Sequence, residues 1–222
     1  MEKAPKNLRF AVLATDTVLL TAHAGKVWVL LMKVDRPPYY IHHWGAPGGL
    51  IHPKETAEES AKRHLWVKGK VKNVYMEQLY TFSRVDRDPR GRVVSVAYLA
   101  LIPAGKVSLD PKPELKWFSV EKLPTLAYDH REIIVSALGR LRAKLGYTNI
   151  ARFLLADEFT LGELQNVYEV VLERKLDKRN FRKKVLALGL VEPVKKQKKG
   201  MAHRPAALFR FSEGELRIVE IL

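Results

Sequence analysis

The sequence predicts an α/β sandwich followed by a smaller domain of three helices and a β-hairpin. Three observations predict it. Apolar, β-branched runs separated by turn residues fill the first half of the chain, two helical patterns are set among them, and after Gly146 the texture changes to short capped helices that lead into two β-like runs. At 222 residues the chain can bury one large core or two modest ones. The expected division is 1–146 and 147–222.

Residues 8–20 are mostly apolar and β-branched, and residues 26–33 repeat that texture. His23, Ala24 and Gly25 separate the two runs, so two antiparallel strands are expected. Residues 36–40 hold Pro37 and Pro38, which forbid helix there and predict a loop. Residues 56–67 read as a helix with Ala57, Ala61 and Leu65 on its buried side. Strands follow at 75–82 and 93–102, and the charged turn between them carries Arg87, Arg90 and Arg92. A long helix begins near Asp129, with Glu132 at the capping-box position and Ile133, Ala137, Leu138, Leu141 and Leu145 as its apolar stripe. Gly146 is its expected end.

In the second half, residues 149–155 read as a short apolar helix. Thr160 and Glu163 form a capping box that opens a helix with Leu161, Leu164, Tyr168, Val171 and Leu172 on one side. Asp177 can cap a third helix over 178–188, which Gly189 terminates. Two β-like runs, 190–194 and 206–211, complete the order of a winged helix-turn-helix. Without a linker rich in proline or serine, the halves are expected to join directly through the long helix, limiting their independent motion.

The formal charge of +15 points to a polyanionic partner. Between Arg174 and Arg210 thirteen basic residues face only Asp177 and Glu192. On the third helix Phe181, Val185 and Leu188 face inward, which turns Arg179, Arg182 and Lys183 outward at i, i+3 and i+4. That is the arrangement of a recognition helix in a major groove, with Lys178, Arg179 and Asn180 at the end that usually enters it. The run Lys195, Lys196, Lys198 and Lys199 would lie on phosphate backbone, and Arg204 could reach a minor groove. A membrane partner is not expected, because the basic segment has no long apolar face to insert and no run of about 18 apolar residues occurs. The absence of cysteine excludes disulfides and thiolate metal sites. With no apolar signal core at the start, a cytoplasmic protein is expected.

The stretch from Gly48 to Lys70 carries the most chemistry. Gly49, Glu55 and Arg63 stand with five and then seven residues between them, and His64, Val67 and Lys68 follow at helical spacing on one face. This resembles the opening of a Nudix box, whose tail places carboxylates at those last three positions to hold divalent cations. Here an imidazole, an isopropyl group and an ammonium replace them. Magnesium prefers hard oxygen ligands, and a nearby ammonium repels it. A surviving loop-helix scaffold without hydrolysis is therefore expected, with no metal or other cofactor. Glu55 and Arg63 have two readings, an ion pair bracing the loop against the helix or contact with a ligand.

Three further segments extend the resemblance: 44–49, with Trp44, Gly48 and Gly49; 78–92, with Tyr80, Phe82 and the charged turn; and 176–184 together with Arg204, Pro205 and Ala206. In this order they are similar, over nearly the whole chain, to the Nudix-related transcriptional regulators of NAD metabolism, the NrtR family. The resemblance implies a Nudix α/β/α sandwich with a mixed sheet plus a C-terminal winged helix-turn-helix. It also implies a homodimeric repressor, inactive as an enzyme, that binds a palindromic double-stranded DNA operator and senses ADP-ribose or a related nucleotide. Some relatives sense pentose sugars. A diphosphate held without metal needs guanidinium groups for its charge and aromatic faces for its base. Arg36, Arg84, Arg90 and Arg92, with Trp44, Tyr80 and Phe82, are the candidates. The competing readings are an active ADP-ribose pyrophosphatase with an appended nucleic-acid-binding domain, drawing on Glu55, Glu58 or Glu59 for metal, and a constitutive DNA binder with a vestigial sensor.

Overall fold

The computed structural model describes residues 10–107, 112–198, 206–212, 214–219 and 221. Seven strands form one mixed sheet: β1 (Val12–His23), β2 (Lys26–Arg36), β3 (Tyr40–Gly45), β4 (Gly48–Leu50), β5 (Tyr75–Phe82), β6 (Val93–Leu101) and β7 (Leu115–Ser119). The path runs β3-β2-β1-β6-β5, with β4 added to β1 and β7 to β2. The β1–β6 pair is parallel, from Val12 against Val93 to Leu20 against Leu101, and the other pairs are antiparallel. Helices α1 (Ala57–Gly69) and α2 (His130–Tyr147) cover its two faces.

Alternation along β1 assigns the layers. Leu19 packs with Leu30, Leu65, Ala100 and Ile102 beneath α1, while Val18 and Leu20 face the larger core that includes Ile133, Ala137 and Leu141 of α2. A strand covered on both faces is apolar at consecutive positions where it crosses the core, which is why Val18, Leu19 and Leu20 follow one another in β1.

Beyond α2 come a 3-10 turn at Ile150–Leu154, then α3 (Leu161–Leu172), α4 (Lys178–Ala187) and the hairpin β8 (Val191–Lys198) with β9 (Ala206–Phe211). The larger core continues without a break from the sheet through Leu145, Leu154 and Phe159 to Tyr168, Phe181 and Val185. The segment after β9 returns to the same junction, where Val219 and Ile221 donate backbone hydrogen bonds to Tyr147 O and Gly146 O at 2.8 and 2.9 Å. The direct union of the two halves is thus observed. No described helix is long and apolar enough to cross a membrane.

Several local expectations are corrected. Gly146 does not end the long helix, which runs to Tyr147 and is closed by Thr148, whose N–H and hydroxyl both donate to Lys144 O. Asp129 sits at the N-cap but makes no side-chain capping bond. Its carboxylate is taken by Arg87, and Glu132 pairs instead with Arg84, so charge pairing displaces the capping box. The short helix expected over 149–155 spans Ile150–Leu154 and is wound as a 3-10 helix. By contrast, the boxes at Thr56 with Glu59 and Thr160 with Glu163 form in full, and Asp177 accepts from Asn180 N at 2.7 Å.

Candidate ligand cleft and nucleic-acid interface

A cleft of about 630 Å³ opens over the C-terminal half of β2, the β4 edge and the loop 84–92. Its glycines are there for close approach. A Cβ at Gly48 would lie 2.2 Å from Asp16 Oδ1 and 2.3 Å from Thr15 O, and one at Gly49 would lie 2.5 Å from the His64 ring. Without side chains, β4 can press on β1 and on α1 together.

Under the cleft lies a buried charge network. Arg87 donates to both Asp129 oxygens, from Nε at 2.8 Å and Nη2 at 2.7 Å, and Nη2 reaches Asp16 Oδ2 at 3.3 Å. Ser95 Oγ donates to the same Asp16 oxygen at 2.6 Å. The Nε2 of His130 lies 3.4 Å from Asp16 Oδ1, and its Nδ1 accepts from Ala46 N at 2.9 Å. Burial would raise the Asp16 pKa, but the hydrogen bonds from His130 and Ser95 and the charge of Arg87 outweigh it and hold the carboxyl well below its usual range. The loop 84–92 is thereby fastened to the first turn of α2.

The walls are cationic. Of the candidate ligand arginines, Arg36, Arg90 and Arg92 line the cleft, and Lys33 and Lys68 join them. Arg90 is held by a two-pronged pair to Asp88 at 2.9 and 2.7 Å, and its guanidinium lies 5.4 Å from the Tyr128 ring centre. Tyr128 in turn tilts against Tyr40 at 4.5 Å.

The box helix explains what replaced the acids. The Nε2 of His64 lies 3.1 Å from Leu50 O, and Lys68 Nζ donates to Gly48 O. Burial lowers the pKa of both, with Arg36 adding repulsion at Lys68. Val67 is exposed, so the three positions do not converge on one point. Among the described residues no group of three or more His, Asp or Glu side chains gathers where it could hold a metal ion.

Six predicted ligand residues lie outside the cleft lining. Arg63 donates from Nε to Glu55 at 2.8 Å, and Glu55 accepts from His52 N, which is the bracing reading of that pair. The Arg63 guanidinium holds the Glu55 carboxyl far below its usual range. Trp44 packs on Phe118 at 4.9 Å; Tyr80 stands exposed edge-on to Phe82; Arg84 pairs with Asp86 and Glu132. Residue type had suggested aromatic contacts from Trp44, Tyr80 and Phe82, whereas the cleft takes its rings from Tyr128 and the imidazoles.

Sequence reasoning passed over Asp16, Lys33, Arg87, Tyr128 and His130. Asp16 did leave a signal, being the one carboxylate in an apolar strand run, and a charge there requires a partner. Arg87 was hidden in a turn that reads as a solvated hairpin tip.

At the other end of the molecule, Phe181 and Val185 anchor α4, with the Phe181 ring 5.1 Å from that of Tyr168. Lys178, Arg179, Asn180, Lys183 and Lys184 are exposed on its outer side. Arg182 departs from expectation: it is half-buried, with Nη2 4.0 Å from the point a Cβ on Gly162 would occupy. The hairpin pairs Val191 with Phe211 and Lys198 with Ala206, and Phe159 bonds Phe209 in both directions at 2.9 and 2.7 Å. Lys195, Lys196 and Lys198 fall on β8, although their side chains, like Lys199 and Arg204 entirely, lie outside the described residues.

Comparison with known proteins agrees with both halves. A NUDIX domain model matches residues 12–137 and an NrtR DNA-binding winged helix domain model matches 151–211. The ADPR responsive transcriptional repressor NtrR of Acinetobacter baylyi is 32% identical over 90% of this chain and 82% of its own length. The crystal structure of Shewanella oneidensis NrtR complexed with a 27mer DNA superposes with a TM-score of 0.77 at 33% identity, covering 90% of this chain and 93% of that one. The NUDIX domain of that NrtR, in a cocrystal structure with ADP ribose, gives a TM-score of 0.53 at 34% identity over 62% of this chain and 93% of that one. The chain belongs to the NrtR family, a Nudix domain carrying an NrtR-type DNA-binding winged helix behind it.

Proposed function

We propose that this protein is a homodimeric transcriptional repressor acting in the cytoplasm, which binds a two-fold DNA operator through α4 and the β8–β9 wing and releases it when an ADP-ribose-type nucleotide occupies the β2–β4 cleft. One observation carries the reading: a cationic cleft and an exposed basic helix sit on one continuous core, joined by a helix whose first residues hold the cleft's charged loop. The relatives support it, one being named an ADPR responsive repressor and another crystallised with DNA.

In this reading the Arg36, Arg92 and Lys33 side chains take the diphosphate, and Tyr128 offers a face to the ring. The operator is read by Arg179, Asn180 and Lys183, with Lys178 and the lysines of β8 on phosphate. The cleft binds without hydrolysing. The donor set does not fit a divalent cation, since Lys68 and His64 already bond the β4 carbonyls. The acids an enzyme could recruit are engaged as well: Glu55 by Arg63, Glu58 by Lys62 and Glu59 by Thr56. A ligand shifts the operator equilibrium only by its differential affinity for the two states, so the effector must prefer the released pose.

Fluorescence anisotropy on operator DNA tests this. ADP-ribose should lower affinity at least tenfold, and Arg179→Ala should weaken binding and relax base preference. Log affinity should fall with log salt by about 0.9 per phosphate neutralised. Affinity unchanged by saturating ADP-ribose, or AMP release from ADP-ribose at about enzymatic rates of 1 per second, would overturn the reading.

A further inference from the structure

A second cleft, of about 810 Å³, lies on the other flank of α1 and shares no lining residue with the first. Its floor is the end of the sheet, where Leu30, Leu101 and Ile102 are buried. One wall is the C-terminal end of α1 and the connector into β5, with Trp66, Lys70 and Lys72; another is β7, with Trp117. The third comes from the connector between α2 and α3, which supplies Arg152 and Asp157.

The charge of this lining is one-sided. Among the described residues Lys70, Lys72, Lys106, Lys112 and Arg152 face a single lining carboxylate, Asp157, which Lys106 approaches at 3.7 Å. The C-terminus of α1 brings partial negative charge, of which the backbone N–H of Lys70 takes up the carbonyls of Leu65 and Trp66. The aromatic faces are partly accessible: Trp66 is 46% exposed and carries the Lys72 ammonium 4.6 Å from its ring centre, while Trp117 is half-buried beside the apolar floor. One ammonium beside an indole face, further lysines on the rim and an apolar floor match a ligand with a planar ring at one end and phosphates at the other.

We propose that this cleft is a second effector site, which binds a phosphorylated planar-ring molecule of the nucleotide class with its phosphates on Lys72 and Lys106 and its ring against Trp66 and Trp117. Arg152 and Asp157 belong to the connector into α3, so an occupant touches the sensor and the lead-in to the reader at once.

Calorimetry on the full chain, with ADP-ribose saturating the first cleft and ATP as the probe, tests the proposal. One further equivalent of ATP should bind per chain. The variant Lys72→Glu/Lys106→Glu alters two exposed side chains, and it should weaken that event at least tenfold while leaving ADP-ribose affinity unchanged. Quenching of tryptophan fluorescence by ATP should fall in Trp66→Phe. The proposal is overturned if no second equivalent binds, if charge reversal leaves it unaltered, or if charge reversal instead weakens operator DNA and spares ATP. Should ADP-ribose itself not bind, the reading of the first cleft fails, yet an ATP event lost in Lys72→Glu/Lys106→Glu still supports this one.

Discussion

Arg87 is the residue on which the cleft depends. It is 4% exposed and bonds two buried carboxylates, one on β1 and one at the head of α2. Removing one partner of a buried ion pair leaves uncompensated charge, which costs more than the pair itself contributes. His130 can answer Asp16 but does not reach Asp129 through any bond described above. Arg87→Met is therefore expected to destabilise the fold by about 3–5 kcal/mol in urea unfolding. A loss below about 1 kcal/mol, the range of surface pairs, would mean that water reaches both carboxylates and that the network does not hold the loop.

At the scale of elements, the reader's helices are set by their ends. The Thr160 hydroxyl accepts from Glu163 N at 3.1 Å while the Glu163 carboxylate accepts from Thr160 N at 2.7 Å. Thr160→Ala should cost about 1 kcal/mol in chemical denaturation, and Thr160→Ser should restore most of it. Glu169 holds the turn between α3 and α4, accepting from Lys175, Leu176 N and Gln165. These bonds, that from Lys175 first, draw its carboxyl from an ordinary 4.5 down to about 2. Because the folded value is the lower one, the contribution is complete above about pH 4.5 and is lost as pH falls toward 2. Glu169→Gln should lower the melting temperature at pH 7, and the difference from the parent chain should shrink across that acid window. A difference that persists undiminished at the acid end would show that the turn does not depend on the ionised carboxylate.

For the whole molecule, the decisive feature is that sensor and reader share a core. Ile134 and Leu145 of α2 belong to the same cluster as Phe159, Tyr168 and Val185. Side chains packed into one core lose their partners together, so the two halves should unfold as one cooperative unit. Tryptophan fluorescence, whose four reporters all lie in the first half, and far-UV circular dichroism should then give coincident denaturation curves. A separate early transition seen by dichroism alone would show that the reader comes apart independently. The Arg87 to Asp129 contact joins the cleft's loop to the helix that leads to the reader.

Periodicity, caps and charge placement determined the long strands, the helices and the winged helix from the sequence by itself, because those signals are local, and the spacing of Gly49, Glu55 and Arg63 carried the resemblance to a Nudix scaffold. A capping box at Thr160 or an apolar stripe at Phe181 and Val185 needs only neighbours within a few residues. The short strands β3, β4 and β7 were not legible, since strands of three to six residues acquire their identity from partners elsewhere in the sheet. The cleft is legible only in part: of the candidate ligand residues, Arg36, Arg90, Arg92 and the glycine pair line it. Trp44 and Phe82 were drawn to neighbouring ring or core contacts, and Asp16, Arg87 and His130 became a site only when residues more than 40 positions apart met. Whether a charged or aromatic side chain serves a ligand or another side chain is decided by what stands opposite it, and that is a property of tertiary structure.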